Sequence, residues 1–344
     1  MTNTAPTDHS KYAIDTSTKA TTMYAITQRT YGTTSTWSYG PAPRPTIASD
    51  QVLVEVRAAG LDRGTWHLMT GKPYALRLAL GLRGPKNPTP GFDLAGTVVE
   101  VGSDVTRVGA GDEVFGIGIG AFAQFAVAKA DKLTLKPSNA TFEQAAALGI
   151  SGSTALRAVT DVGQIKSGDK VLIIGASGGV GTYAVQIAKA LGAHVTGVAS
   201  AQKADLVRGL GAEHVLDYKV DDYANGRVKY DVIIDIAGNN SITRLRRALA
   251  PAGTLVIVGG EEGDQITGGM GRQLRAMMLS PLVRQRFGLV FPKEHFSVLE
   301  RLAALVDDGS VAASVERTYP LEQAAVAMDA LASGRVRGKL VITM

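Results

Sequence analysis

The sequence predicts an α/β protein in two parts, a doubly wound parallel sheet beside a mainly-β, barrel-like region. Three observations predict it. From Ser151 to about residue 290, short apolar runs alternate with helical patterns, as strand–helix–strand units require. From Met23 to Ile150, short strand patterns follow one another across Gly and Pro turns with little helix between them. At 344 residues the chain is also too long for one ordinary core. The expected boundaries are a disordered tail over residues 1–22, the β region over 23–150, the parallel sheet over 151–290, and a closing part over 291–344.

In chain order, the first 22 residues are rich in Thr and Ser and lack the apolar run of a secretory signal. With Asp8, Asp15 and no Arg they do not read as an organelle transit peptide either, so a cytoplasmic location is expected. Strands are predicted at 24–27, 52–58, 95–101, 113–117 and 122–128. Pro41, Pro43 and Pro45 mark a loop, as do Gly84-Pro85, Pro88 and Pro90-Gly91. Thr141 opens a short helix. After Ser151 the order is helix 153–162, strand 171–174, helix 180–188, strand 195–199, helix 203–210 and a short strand 214–216. Then come strand 231–236, helix 241–250, strand 254–258 and a last strand at 287–291. Helices at 294–306 and 321–332 flank a strand near Ser314, and residues 339–343 close the chain.

Composition narrows the class. Hydrophobic residues at 45% and charged residues at 19% describe a globular chain rather than a disordered one. The absence of cysteine excludes disulfides, thiolate metal sites and a cysteine nucleophile. A net charge of +5 is mild and its basic residues are scattered, so no nucleic-acid partner is expected. The uncharged stretch between Lys170 and Lys189 is long enough to raise a membrane span. Glycines and a change from strand to helix period interrupt it, and no span is expected.

That stretch carries the main motif. Val171 to Ile174 reads as a strand buried on both faces, and Val180, Ala184, Val185, Ile187 and Ala188 recur at helical spacing. Between them lies Ala176-Ser177-Gly178-Gly179-Val180-Gly181. A strand, a glycine turn and a helix N-terminus are what a dinucleotide pyrophosphate needs. Gly178 and Gly179 let the backbone approach, and Gly181 lets helix and strand pack. Ala176 stands where the usual fingerprint has its first glycine.

With these stretches on the page, the chain resembles the medium-chain dehydrogenase/reductase superfamily, in its zinc-independent quinone-oxidoreductase-like branch. The matching stretches are Gly60-Leu61-Asp62 through Gly71, Pro90-Gly91-Phe92-Asp93-Leu94-Ala95-Gly96, Gly109-Ala110-Gly111-Asp112-Glu113-Val114, Gly152-Ser153-Thr154-Ala155, the glycine turn, and Arg337-Gly338-Lys339. The resemblance implies a Rossmann sheet inserted in a GroES-like catalytic domain, which residues 291–344 would complete, and a homodimer. Where the zinc enzymes of the superfamily hold their catalytic metal, this chain reads Asp62, Phe92 and, near the third position, Ile150. Phe92 cannot bind a metal and one carboxylate makes no tetrahedral site, so no zinc is expected.

The cofactor reading then sharpens. An acidic residue at the end of the second Rossmann strand would favour NAD; here that place is Ser200. Ser200 and Lys203 can meet a 2′-phosphate, and the resemblance puts Tyr218 near it, so NADPH is the expected cofactor. The resemblance also assigns cofactor contacts to Thr154, to Ala237-Gly238-Asn239 and Gly259-Gly260 at strand ends, and to Lys339.

For chemistry, the resemblance places His67 where zinc dehydrogenases carry their proton-relay histidine. An imidazole with an ordinary pKa of about 6.5 can donate a proton near neutrality. Tyr74 is the second candidate, and Asp62 with Trp66 is expected to shape the pocket. The expected activity is hydride transfer to a small electrophilic acceptor, a quinone or an α,β-unsaturated carbonyl. Enoyl-thioester reduction, zinc-free alcohol oxidation and a non-catalytic NADPH-binding scaffold are the alternatives.

Overall fold

The structure is a computed structural model that describes residues 21–237, 240–259, 270–279, 283–290 and 294–344. The tail expected over residues 1–22 lies almost entirely outside them.

In chain order the strands are β1 (Thr22–Gln28), β2 (Trp37–Pro43), β3 (Gln51–Gly60), β4 (Asp93–Val101), β5 (Glu113–Ile117), β6 (Phe125–Lys129), β7 (Leu133–Leu135), β8 (Lys170–Ile174), β9 (His194–Ala199), β10 (His214–Asp217), β11 (Tyr230–Asp235), β12 (Leu249–Ile257), β13 (Arg286–Leu289), β14 (Val315–Pro320) and β15 (Lys339–Thr343). They form three sheets. β1 and β2 pair with each other, a seven-stranded sheet runs β14-β15-β3-β4-β5-β7 with β6 also on β3, and a six-stranded sheet runs β10-β9-β8-β11-β12-β13.

Every pairing in the six-stranded sheet is parallel. Counted within this unit, the strand order is 3-2-1-4-5-6, which is the doubly wound dinucleotide fold. The strand order reverses between β8 and β11, and ligands of such sheets bind outside the carboxyl ends of the strands at that point. Val171, Leu172 and Ile173 are fully buried, as a strand covered by helices on both faces must be.

The helix after β8 spans Gly179–Ala190 and buries Tyr183, Ala184, Ile187 and Ala188. Gly192, at φ +81, lets the chain leave it. The helix expected at 153–162 begins earlier, at Gly149–Arg157, and passes into a π-turn at Ala158–Val162.

Two expectations change. The Pro41–Pro45 stretch is not all loop, because Trp37–Pro43 pairs along the whole of β1. Among the described residues β2 has no second neighbour, so its prolines remove no ladder bond that another strand needs. Residues 63–70, to which no element was assigned, form a helix from Arg63 to Thr70. Among the described residues no helix is long and apolar enough to cross a membrane.

Candidate active site

The glycine turn after β8 carries the fit for a dinucleotide. Gly175, a residue sequence reading passed over, takes the left-handed φ of +88 that closes the turn. Its carbonyl accepts from the Gly178 amide at 3.1 Å. Ala176 is accommodated in place of the first fingerprint glycine because Gly197 of β9 faces it, and a Cβ there would stand 3.0 Å from the Ala176 methyl. A Cβ on Gly181 would run into the Gly175 carbonyl, so that glycine is needed for packing.

Gly178 differs. A Cβ there would have only the Gly175 oxygen near it, at 3.5 Å, so its bare face fronts open space. Gly178 is the N-cap of the Gly179–Ala190 helix, and no side chain caps it. The amides of Gly179, Val180 and Gly181 stand in a first turn with no intrahelical acceptors, an arrangement suited to a pyrophosphate. The residues present fit the group.

At the end of β9 the Tyr218 amide donates to Ala199 O at 3.2 Å, which sets Tyr218 beside Ser200. Lys203 is close by, but its ammonium donates to Val336 O at 2.8 Å and Gly334 O at 3.2 Å. Burial pulls its pKa below the usual lysine value, with Glu316 working the other way. Ala237 and Gly259 follow β11 and β12 as expected, whereas Gly238, Asn239 and Gly260 lie outside the described residues. An unanticipated ion pair stands at these strand ends. Asp235, fully buried, lies 2.8 Å from Arg272 Nη1, and Arg272 also donates to Asn240 O at 3.0 Å.

Lys339 is 2% exposed and points inward. Its ammonium donates to Ser151 Oγ at 3.1 Å and Asp93 Oδ2 at 3.3 Å, while its stem runs beneath Gly179. The other Asp93 oxygen accepts from the Ile150 amide at 2.7 Å. Burial pushes the Asp93 carboxyl up to about 7; Lys339 opposes that shift and the nearby Asp62 adds to it.

Asp62 is itself buried, and its pKa is raised by that burial. It caps the Arg63–Thr70 helix, Oδ1 accepting from the Thr65 amide at 2.7 Å. Oδ2 has no hydrogen-bond partner among the described residues. Sequence reading placed Asp62 in the pocket but missed the cap, although Thr65 and the helical run after it were signals.

His67 is half-buried, one turn along that helix. Its Nδ1 meets Lys72 O at 2.7 Å. A carbonyl only accepts, so Nδ1 carries the proton and Nε2 of neutral His67 is a lone pair. Trp66 meets the imidazole edge-on at 5.1 Å. Tyr74 is 41% exposed, and its ring packs with Arg77.

A cavity of about 470 Å³ opens between the two sheet-bearing units, lined by Gly64, Phe92, Ile117, Ile150, Thr154 and Val290 among others. The Gly149–Arg157 helix joins the parts. Ile150 and Thr154 face the cavity from it, while Ser151 reaches Lys339 beneath the glycine turn. Phe92, which the resemblance sets at a zinc-ligand position, and Ile150, near another, are both in the cavity wall, and neither side chain offers a lone pair.

Comparison with known proteins agrees with this architecture. The pattern described as alcohol dehydrogenase GroES-like domain matches residues 48–138, and that described as zinc-binding dehydrogenase matches 210–342. The chloroplast envelope quinone oxidoreductase homolog of Arabidopsis thaliana is 33% identical over 340 residues, covering 93% of this chain and 98% of that one. The mitochondrial NAD(P)H oxidoreductase RTN4IP1 of Mus musculus is 32% identical over 326 residues, covering 86% and 82%. The solved quinone oxidoreductase from Coxiella burnetii superposes with a TM-score of 0.81 at 29% identity, covering 94% of this chain and 99% of that one.

The fold and the cradle define a dinucleotide-dependent oxidoreductase. The chain belongs to the medium-chain dehydrogenase/reductase superfamily, in its quinone-oxidoreductase-like branch, and works with a nicotinamide cofactor.

Proposed function

We propose that the protein is a zinc-independent, NADPH-dependent reductase of small electrophilic acceptors, quinones or α,β-unsaturated carbonyls. The observation that carries the reading is the cavity wall. Phe92 stands where a metal-dependent relative would present a ligand and Ile150 stands near another such position, and both add apolar side chains to that wall. A wall of this kind suits a planar, lipophilic acceptor and gives no Lewis acid to an alcohol.

A bound reduced nicotinamide supplies the hydride. The chain's part is to bind, orient and protonate. The Gly178–Gly181 turn holds the pyrophosphate, Ser200 with Lys203 and Tyr218 favours the 2′-phosphate, and Thr154 borders the nicotinamide. His67, once protonated at Nε2, donates to the reduced acceptor; Nδ1–H on Lys72 O fixes the ring so that Nε2 is the free edge. Asp62 holds the first turn of the helix that carries His67. The same reading takes the protein as a homodimer on family resemblance, and as cytoplasmic, although the two relatives above are named for a chloroplast envelope and a mitochondrion.

A second reading has its own observation. Lys129, Lys132 and Arg157 also border the cavity, as a phosphate-bearing enoyl thioester would require. All three are already engaged, Lys129 with Asp50 at 2.8 Å, Lys132 with Glu294 at 2.9 Å and Arg157 with Asp161 at 3.5 Å, so the small acceptor is favoured.

The test is NADPH oxidation with a quinone, an enone, an enoyl thioester and a primary alcohol's aldehyde, with and without a chelator. Turnover of the first two, indifferent to chelator, is expected. Chelator-sensitive turnover overturns the zinc-free reading, and NADPH binding without reduction of any acceptor favours a scaffold.

A further inference from the structure

The segment after the His67 helix inverts the usual pattern of a surface helix. Its arginine points in and its leucines point out. Arg77 lies over the rings of Tyr31 and Tyr74 at 4.6 and 4.8 Å and donates to Gly71 O at 2.9 Å. Leu78 and Leu82, by contrast, are 80% and 70% exposed, and Leu76 beside them is 38% exposed.

The display is built rather than slack. Tyr31 Oη donates to Gly81 O at 2.7 Å, the Lys86 amide to Leu80 O at 2.8 Å and the Gly81 amide to Arg77 O at 2.9 Å. Gly84 is packed so closely on the Arg29 backbone that a Cβ there would collide with it. Three water-facing leucines held this firmly offer an apolar face to a partner.

Charge says which partner. From Arg63 to Phe92 the sequence carries Arg63, Lys72, Arg77, Arg83 and Lys86 and no Asp or Glu at all. Arg83 and Lys86 are exposed beside the leucines, as is Arg29 across the Gly84 contact. Apolar side chains in a purely cationic setting match the boundary of an anionic bilayer, where leucines enter the acyl edge and cations meet headgroups. A protein partner would have to bring both an apolar face and an acidic rim, whereas an anionic lipid surface has both by nature.

We propose that Leu76, Leu78 and Leu82 with Arg29, Arg83 and Lys86 form a peripheral docking surface for anionic lipid bilayers. It stands on the segment that follows the His67 helix, so docking would bring the region around the catalytic cavity toward the membrane.

The test is co-sedimentation of the full chain with phosphatidylcholine vesicles, with and without phosphatidylglycerol. Binding only to the anionic vesicles, weakened by salt, is expected. Leu78→Ser/Leu82→Ser should lower vesicle affinity by at least about tenfold, and Arg83→Ala/Lys86→Ala should flatten the salt dependence. Both variants should keep the wild-type melting temperature and NADPH affinity. Three results overturn the proposal. One is failure of the wild type to pellet with anionic vesicles. Another is undiminished binding by Leu78→Ser/Leu82→Ser. The third is a drop in oligomeric state of that variant in sedimentation velocity, which would assign the leucines to a second copy of the chain.

Discussion

Asp93 Oδ2 and Lys339 Nζ lie 3.3 Å apart, 246 positions from one another in sequence, with almost no exposure on either side. The pair joins β4 to β15, and through Ser151 it joins both to the helix that borders the cavity. It is a structural keystone under the cofactor turn rather than a free cofactor ligand. Breaking a buried pair from one side costs about 3–5 kcal/mol, because the remaining charge has no compensation.

Lys339→Met should therefore destabilise the protein, and the loss should depend on pH. The Asp93 carboxyl is already held near 7 by burial, and without the ammonium it rises further. A carboxyl whose folded pKa exceeds its unfolded value of about 3.9 favours folding while protonated. That contribution is complete below the unfolded value and is lost as pH rises through the folded one. Urea denaturation should thus show a smaller deficit for Lys339→Met at about pH 5 than at about pH 8. Equal deficits at both would refute the assignment of the effect to Asp93.

Two glycines of the turn separate fold from ligand. Gly181→Ala puts a methyl against the Gly175 carbonyl, so stability and cofactor binding should fall together. Gly178→Ala puts its methyl into open space at φ −87. It should melt within a few tenths of a kcal/mol of wild type yet bind cofactor about tenfold more weakly or worse, since the methyl takes the room of the pyrophosphate. Thermal melts beside fluorescence titration with NADPH measure both. Unchanged affinity in Gly178→Ala would remove the cradle from this turn.

Lys203 has two possible employments that one variant divides. Its bonds to Gly334 O and Val336 O already tie the parallel-sheet unit to the loop before β15. If it also meets a 2′-phosphate, Lys203→Ala should weaken NADPH by about tenfold or more and leave NADH nearly unchanged. Equal affinities before and after for NADPH would leave Lys203 as a tether alone. Ser200→Asp should shift preference toward NADH, because a carboxylate there repels the phosphate and accepts from ribose hydroxyls.

What the sequence could reveal follows from the range of each interaction. The strand, glycine turn and helix from Val171 to Ala188 were legible because their signal is local, a change of period around tight-turn residues. β2 was not legible, since Pro41 and Pro43 argue for a loop until the strand is known to be an edge. Gly175 was hidden because the fingerprint pattern begins on Ala176, one residue later. The partners of Asp93 and Asp235 could not be read, because nothing local specifies which distant cation meets a buried carboxylate. The family resemblance supplied the positions of Lys339 and Tyr74, but not the direction of one side chain or the exposure of the other.

The proton donor is the last point open to a direct trial. His67 Nδ1 is committed to Lys72 O, so only Nε2 can reach an acceptor, and only the imidazolium can donate from it. His67→Ala should lower kcat by about tenfold to a hundredfold with a smaller change in KM, the low end of what a positioned general acid contributes. His67→Asn, which can keep a donor toward Lys72 O but has no second ring nitrogen to pass a proton, should preserve the Arg63–Thr70 helix and its melting temperature without restoring rate. Tyr74→Phe should change little, because Tyr74 is exposed and packs on Arg77. Steady-state kinetics on the three variants with one quinone acceptor decide the matter. A His67→Ala enzyme with wild-type kcat would pass proton delivery to water, and a slow Tyr74→Phe enzyme would pass it to the tyrosine.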